Sequence, residues 1–303
     1  MRRFLLRLVR DLALIPLIGI VSYEIIAHLP IRRDTGSKVM ISQAVQQDTA
    51  HRLCLDRWDG FLCPWRNLLE GKSLASDTSV DTYDARQIAS AAMGSARIGG
   101  MALLLALVLA LAFAFARVVF ERSPADEALD LWPTLVYATP SFIFAMLVAA
   151  YTGVSYGDDK RAFEPIAALV VALGPGTFLG VVLHDALKAE SLKPYVQTAL
   201  AKGRSRLSAH LRHALPNAIP TMLDALPPVA TAMLAGSFVA EKLFNVTYLG
   251  FMYVEAARDR ELQVVVVTTT IFASILVLVS LAVDLARLII DPLARRRAFE
   301  GDR

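Results

Sequence analysis

From about residue 98 to residue 116 the chain reads G-G-M-A-L-L-L-A-L-V-L-A-L-A-F-A-F-A, with no charge anywhere in it. Hydrocarbon offers no water to backbone amides, so a segment crossing it must close its own hydrogen bonds as a helix. About 20 residues at about 1.5 Å each match the roughly 30 Å core of a bilayer. On the insertion scale Leu, Val and Phe favour the membrane by roughly 0.3–0.6 kcal/mol each, and nothing in this run opposes them. Similar runs recur near 12–29, 130–153, 164–187, 218–240 and 263–290. Of 303 residues, 55% are hydrophobic and 19% charged, with mean hydropathy +0.50. That is too apolar for a soluble domain of this length and predicts an all-α polytopic membrane protein with six transmembrane helices. A net charge of +3 argues for neither nucleic acid nor an acidic partner.

The predicted division is 1–30 for an N-terminal tail and first helix, 31–97 for a polar segment, 98–293 for a core of five helices, and 294–303 for a basic tail. The first apolar run ends in Tyr23, Glu24, His28 and Leu29-Pro30 rather than at a small-residue cleavage site, so it reads as a retained helix and not a signal peptide. Both termini are expected inside. The inner segments then hold Arg2, Arg3, Arg7, Arg10, Arg117, Arg122, the basic stretch 194–216, and Arg295, Arg296 and Arg297. The short outer loops hold only Lys160-Arg161 and Arg258/Arg260, as the positive-inside rule asks. Residues 31–97 fall outside, in the periplasm of a Gram-negative cell. An oxidising compartment permits a disulfide between Cys54 and Cys63, the two cysteines of the chain. Closing a loop of about ten residues would stabilise this lobe by roughly 2–3 kcal/mol in the loop-entropy account. Two free thiols are the alternative.

Several motifs suggest chemistry that their context excludes. Gly71-Lys72-Ser73 ends like a phosphate-binding loop, but that motif needs glycine at position 66, where Arg66 stands. The chain therefore has no ATP site of its own. Gly153-Val154-Ser155-Tyr156-Gly157 fits G-x-S-x-G, yet a nucleophile elbow needs a strand before it and a helix after it. Here it sits in a short loop between two apolar runs. A membrane enzyme would need Ser155 to meet His184 and Asp185, which are expected near the opposite face. Gly174, Gly176 and Gly180 lack the dinucleotide-binding spacing and no soluble βαβ unit follows; Gly176 and Gly180 do give a small-xxx-small spacing that lets helices approach closely. No catalytic residue and no metal site is expected.

Residues 194–216 form the most basic internal stretch, P-Y-V-Q-T-A-L-A-K-G-R-S-R-L-S-A-H-L-R-H-A-L-P. Pro194 suits the first position of a helix and Gly203 the left-handed residue that ends one. Between them Tyr195/Ala199 and Val196/Leu200 stand at i,i+4 spacing. This predicts a helix of about two turns, roughly 13 Å long, too short to be stable alone in water. Read by charge alone, the stretch is a loop that orients the protein in the membrane.

The spacing of Ala199, Gly203, Leu215 and Pro216 resembles the "EAA" loop of ABC importer permeases. Tyr195, Val196, Thr198, Ala199, Ala201, Lys202, Gly203, His213 and Asn217 resemble its dipeptide/oligopeptide branch, with Gln197 where the name-giving Glu would be and Thr198 in place of the first Ala. Downstream, E-K-L-F-N-V-T-Y-L-G-F-M-Y-V-E-A-A-R-D-R resembles the outer re-entrant turn of that family through Glu241, Phe244, Leu249, Gly250, Ala257 and Asp259, although Thr247-Tyr248 replaces Pro-Gly. Residues 65–76 and the ending V-D-L-A-R-L-I-I-D-P-L-A-R-R-R are similar to further family segments.

The resemblance implies a type I importer permease whose coupling helix docks on a separate ATPase. Tyr195, Val196, Thr198, Ala199, Ala201, Lys202, Gly203, Arg204 and His213 would make the coupling surface. Pro140, Gly236, Glu241, Phe244 and Gly250 are gate or pathway candidates. Implied partners are a second homologous permease, two ATP-binding subunits, a periplasmic solute-binding protein and the lipid bilayer. ATP and Mg would sit on the partner subunits, with no cofactor on this chain. Peptides or peptide-like solutes are the implied cargo, with nickel chelates and opines as alternatives carried by the same importer type. An ion-coupled secondary transporter is a different reading; it calls for intramembrane acids or an inverted repeat. Near the inner end of the last apolar run Asp284 and Arg287 stand one turn apart and can pair.

Overall fold

The computed structural model describes residues 2–27, 61–74, 83–152, 163–259 and 261–290. Its helices are α1 (Arg2–Ala27), α2 (Leu62–Leu69), α3 (Ala85–Val119), α4 (Pro124–Ala138), α5 (Ser141–Thr152), α6 (Glu164–Ser191), α7 (Pro194–Ala201), α8 (Arg206–Ala209), α9 (Leu215–Asp224), α10 (Leu226–Leu243), α11 (Leu249–Asp259) and α12 (Leu262–Ile290). A π-helical turn, His210–Ala214, joins α8 to α9. Among the described residues the β structure is one antiparallel bridge between Leu74 and Tyr83. The all-α expectation holds.

The span count is less simple than six apolar runs suggest. α3, α6 and α12 are each long and apolar enough to cross a membrane, and two bent pairs raise the count to as many as five. α1 has the length, but keeps Arg10, Asp11 and Glu24 within one span length. The run at 130–153 is two helices rather than one. Pro133 is accommodated inside α4, whereas the chain turns by 93° at Thr139-Pro140 before α5. Pro140 accepts the amide of Ile143 at 2.9 Å and so opens the new helix. The run at 218–240 is bent as well, by 54° where α9 meets α10 at Ala225. Pro227 and Pro228 cannot donate to the carbonyls of Leu223 and Asp224, so the helix breaks there.

α3 starts well before its apolar run. Asp84 and Gln87 form a reciprocal capping box, Gln87 N–H donating to Asp84 Oδ1 at 2.7 Å and Asp84 N–H to Gln87 Oε1 at 3.0 Å. The helix then runs 35 residues, about 50 Å at about 1.5 Å per residue, longer than a hydrocarbon core.

The chain divides into two compact units. The first contains Ala96–Val246 and the end of α12 from Leu278. α6 is its hub and packs against α4, α5, α9 and α10. α3 carries a buried row at every fourth residue, Ile98, Ala102, Ala106, Ala110, Ala114 and Val118, and meets α6 at Ala106 and Ala110. Gly176 and Gly180 permit the contact. A β-carbon on Gly176 would stand 3.0 Å from the Cα and carbonyl oxygen of Ala106, and one on Gly180 would stand 3.2 Å from the Cα of Ala110. Trp132 of α4 donates its indole N–H to Thr177 of α6 at 3.1 Å.

The second unit contains Val9–Ser95 and Thr247–Val277 as far as they are described. Tyr23, Leu262 and Val266 form its buried cluster, with Phe61 packed on it. Gly19 lets α1 lie against Phe61 and Thr270, since a β-carbon there would overlap the Phe61 ring. Tyr253 and Phe272 meet edge-to-face at a centroid distance of 6.2 Å. Cys63 is buried and disulfide-bonded, while Cys54 lies outside the described residues.

Gly176→Val should destabilise the chain by about 1–3 kcal/mol, because the backbone of Ala106 cannot yield to the added methyls. Gly174→Val, at a position with nothing within 4 Å, should change stability far less. Thermal unfolding of both variants in detergent checks this; equal melting temperatures would show that α3 and α6 are not in close contact.

Candidate functional site

α7 leaves the C-terminal end of α6 through a short bend. Lys193 is extended, Pro194 takes the first helical position, and the helix ends after eight residues. Gly203 has φ +84°. Its N–H donates to Leu200 O at 2.9 Å, and Arg204 N–H donates to Ala199 O at 3.3 Å. This pair of bonds is a Schellman C-cap, and it satisfies carbonyls that a short helix otherwise leaves open. A β-carbon on Gly203 would meet nothing within 4 Å, so only the left-handed backbone demands glycine here.

The buried side of α7 is narrow. Val196 and Ala199, an i,i+3 pair, are buried, Leu200 is half-buried, and Tyr195 is 40% exposed. Thr198, Ala201, Lys202, Gly203 and Arg204 form an exposed face together with Gln197. His213 sits apart, half-buried in the π turn. That turn follows from Pro216, which cannot donate to Arg212 O; the amide of Leu215 reaches back to His210 O instead.

Polar contacts hold this stretch to the rest of its unit. The Tyr195 hydroxyl donates to Glu190 at the end of α6. Asn217 of α9 donates through Nδ2 to Tyr195 Oη at 3.1 Å and to His213 O at 3.0 Å. Lys193 pairs with Glu190 at 2.6 Å, and Gln197 donates to Ser191 O at 2.7 Å. The Tyr195 hydroxyl is pushed up to about 12, first by burial and then by its hydrogen bond to Glu190 and that carboxylate's charge. A raised phenol pKa means that the link is intact below the usual range near 10 and is lost only as pH climbs through about 12. It is therefore constant at physiological pH.

Further along, Arg206 pairs with Glu121 in the turn between α3 and α4. Across that turn Arg117 of α3 pairs with Asp126 of α4 at 3.0 Å and with Asp130 of α4. Arg287 pairs with Asp224 at the end of α9, not with Asp284 as its helical spacing suggested. The side chain of Asp224 comes from another helix, and sequence spacing gives no sign of it.

The gate candidates fall in different places. Pro140 is the elbow between α4 and α5. Gly236 lies in α10, where a β-carbon would stand 3.9 Å from Val171, an ordinary contact. Glu241 is fully buried in α10, away from lipid as a carboxylate there requires. Phe244 caps α10 and is buried; Asn245 then takes φ +51°, and Val246 N–H closes the turn on Glu241 O at 2.8 Å. Gly250 is buried at the start of α11 in the second unit. There Leu249 N–H donates to Ser95 Oγ of α3 at 3.0 Å, and the Tyr248 ring lies where a Gly94 β-carbon would stand.

Gly71 has φ +74° and caps the end of α2 with the same Schellman bonds, Gly71 N–H to Leu68 O and Lys72 N–H to Asn67 O. A helix precedes this glycine, whereas a phosphate-binding loop needs one to follow it. Residues 153–157, with Ser155, lie outside the described residues. Among the described residues no three His, Cys, Asp or Glu side chains gather as metal ligands would.

Residues 102–296 match the family described as "Binding-protein-dependent transport system inner membrane component". The dipeptide transport system permease protein DppB of Lactococcus lactis subsp. cremoris is 27% identical over 209 residues, 66% of this chain and 68% of the relative. DppB of Bacillus subtilis is 27% identical over 206 residues, 65% of this chain and 66% of the relative. The oligopeptide transport system permease protein OppB of Haemophilus influenzae is 28% identical over 218 residues, 69% and 71% of the two chains. The family match covers more than half of the chain, which therefore belongs to this family: it is a multi-pass inner-membrane permease component of an ABC importer.

Gly94→Val should displace the Tyr248 ring and loosen the turn that opens α11. Hydrogen exchange across residues 247–259 should quicken while residues 164–191 keep their protection. Unchanged exchange at 247–259 would show that Gly94 does not hold the turn.

Proposed function

We propose that this family member moves peptides or peptide-like solutes across the inner membrane, paired with a second related permease and driven by separate ATPase subunits through residues 195–203. One observation carries the coupling reading. A two-turn helix with an exposed face is held between α6 and α9, bounded by Pro194 and by Gly203 in the left-handed conformation. The cargo class rests on the dipeptide and oligopeptide names of the relatives.

On this reading both termini and α7 face the cytoplasm, and the exposed face of Thr198, Ala201, Lys202, Gly203 and Arg204 docks on an ATPase. A periplasmic solute-binding protein delivers cargo to the outer side. ATP and Mg act on the ATPase subunits, not on this chain. Closure of the ATPases displaces α7, and because α7 is tied to the ends of α6 and α9, those helices move with it. The bends at Pro140 and Ala225 are places where such motion can be taken up, as hinge positions at element ends commonly are.

Gly203→Arg is the direct test. The non-glycine cost of a left-handed residue is about 1–2 kcal/mol, well under a typical folding stability of about 5–15 kcal/mol. The variant should insert normally and lose ATP-dependent peptide uptake, because a long cation replaces a flat docking edge. Mass spectrometry of the tagged wild-type chain in mild detergent should recover a second permease and ATPase subunits. Wild-type uptake by a correctly inserted Gly203→Arg chain would remove the coupling role from α7.

A further inference from the structure

The Tyr195 side chain stands on the half of α7 that an ATPase would touch, yet its hydroxyl is engaged within the permease. It donates to Glu190 and accepts from Asn217 Nδ2 at 3.1 Å. A phenol has one donor and a limited acceptor capacity, so both its main hydrogen-bonding functions are used inside this chain. Three elements meet at this one oxygen: the end of α6, the start of α7 and the first turn of α9. Asn217 also donates to His213 O at 3.0 Å, and Lys193 pairs with Glu190 at 2.6 Å, so each partner of the hydroxyl is itself oriented.

Besides this hydroxyl, α7 is held by its link to α6, by Gln197 donating to Ser191 O at 2.7 Å, and by a narrow apolar side. Val196 and Ala199 are its buried side chains. Apolar contacts are non-directional, so two small side chains would let a short helix roll about its axis. A hydrogen bond is directional, and one placed off that contact line fixes the roll. Lys193, Tyr195 and Asn217 are exposed while the Glu190 side chain is 12% exposed, and partly exposed polar links add little to stability. Their effect is therefore on orientation more than on folding.

We propose that Glu190 and Asn217 are positioning residues that together clamp the Tyr195 hydroxyl, so that α7 moves as one rigid piece with α6 and α9. The proposal rests on the coupling reading of α7. It assigns Tyr195 an inward role, as part of the lever rather than of the surface pushed. Without the clamp, α7 still docks but rolls under load, and less of its displacement reaches the spans.

The test uses the full complex with its ATPase subunits and ATP with vanadate as the probe, so no cargo need be known. The readouts are the ATPase subunits that co-purify, the melting temperature, and the ATP–vanadate-induced change in hydrogen exchange over residues 215–243. Tyr195→Phe and Asn217→Ala should each retain the ATPases and the melting temperature, while the exchange response falls several-fold. The double variant should be no worse than either single one, because both break the same link. Glu190→Gln, which keeps an oxygen acceptor, should respond as wild type does, whereas Glu190→Ala should not. A full response in Tyr195→Phe and Asn217→Ala would overturn the clamp while leaving the coupling role intact. Loss of ATPases from Tyr195→Phe would also overturn it, making Tyr195 a docking contact. A wild-type chain that retains no ATPases, or gives no exchange response to ATP–vanadate, would remove the coupling reading and the clamp together.

Discussion

The first unit of this protein depends on how closely α6 can approach α3. In lipid, helices gain nothing from hiding apolar surface from water, since the tails around them are equally apolar; association rests on close van der Waals packing. Ala106 and Ala110 present short side chains, and Gly176 and Gly180 remove the side chains that would hold the backbones apart. Added β-carbons there would come within 3.0–3.2 Å of α3 atoms, closer than side-chain carbons ordinarily approach, so larger residues would strain the contact. α4, α5, α9 and α10 all pack on α6, which makes it the helix that the others of this unit share.

Prolines then set where the chain changes direction. Pro140 separates α4 from α5, Pro216 forces the π turn before α9, and Pro227 with Pro228 opens the break at Ala225. At each point a missing donor leaves a carbonyl to be satisfied another way. The π turn does so by shifting the bond of Leu215 to His210 O. Breaks of this kind give the permease stiff segments joined at defined elbows. The polar groups near the ends of these segments pair across elements, Glu190 with Tyr195, Glu121 with Arg206, and Asp224 with Arg287.

Much of this was readable from local pattern. A helix from Pro194 ending at Gly203 follows from a residue that cannot donate and one that tolerates positive φ, and both constraints act within a few residues. The apolar runs of α3, α6 and α12 needed only length and composition. The small-xxx-small spacing of Gly176 and Gly180 announced a close approach, although not its partner. Other features were hidden. The early start of α3 at Ala85 was missed because Asp84 and Gln87 cap a polar stretch with no apolar run. Pro133 and Pro140 both mark the run at 130–153 as a candidate bend, but nothing local separates the 93° turn at Pro140 from the continuous helix through Pro133. The i,i+4 pairs of α7 do not say which side is buried, because a two-turn helix offers too little periodicity to fix its inner face.

The sequence by itself determined that this is an all-α membrane protein, where its long helices lie, which glycine ends the short helix between α6 and α9, and which family the chain belongs to. Those properties come from interactions within one turn or one span, so they are written in consecutive residues. Tertiary structure alone decided that Ala106 and Ala110 receive Gly176 and Gly180, that Arg287 meets Asp224 instead of Asp284, and that one tyrosine hydroxyl joins Glu190 to Asn217. Each of those contacts joins groups brought together by helix packing, and side-chain reach across a packed interface leaves no mark in sequence spacing.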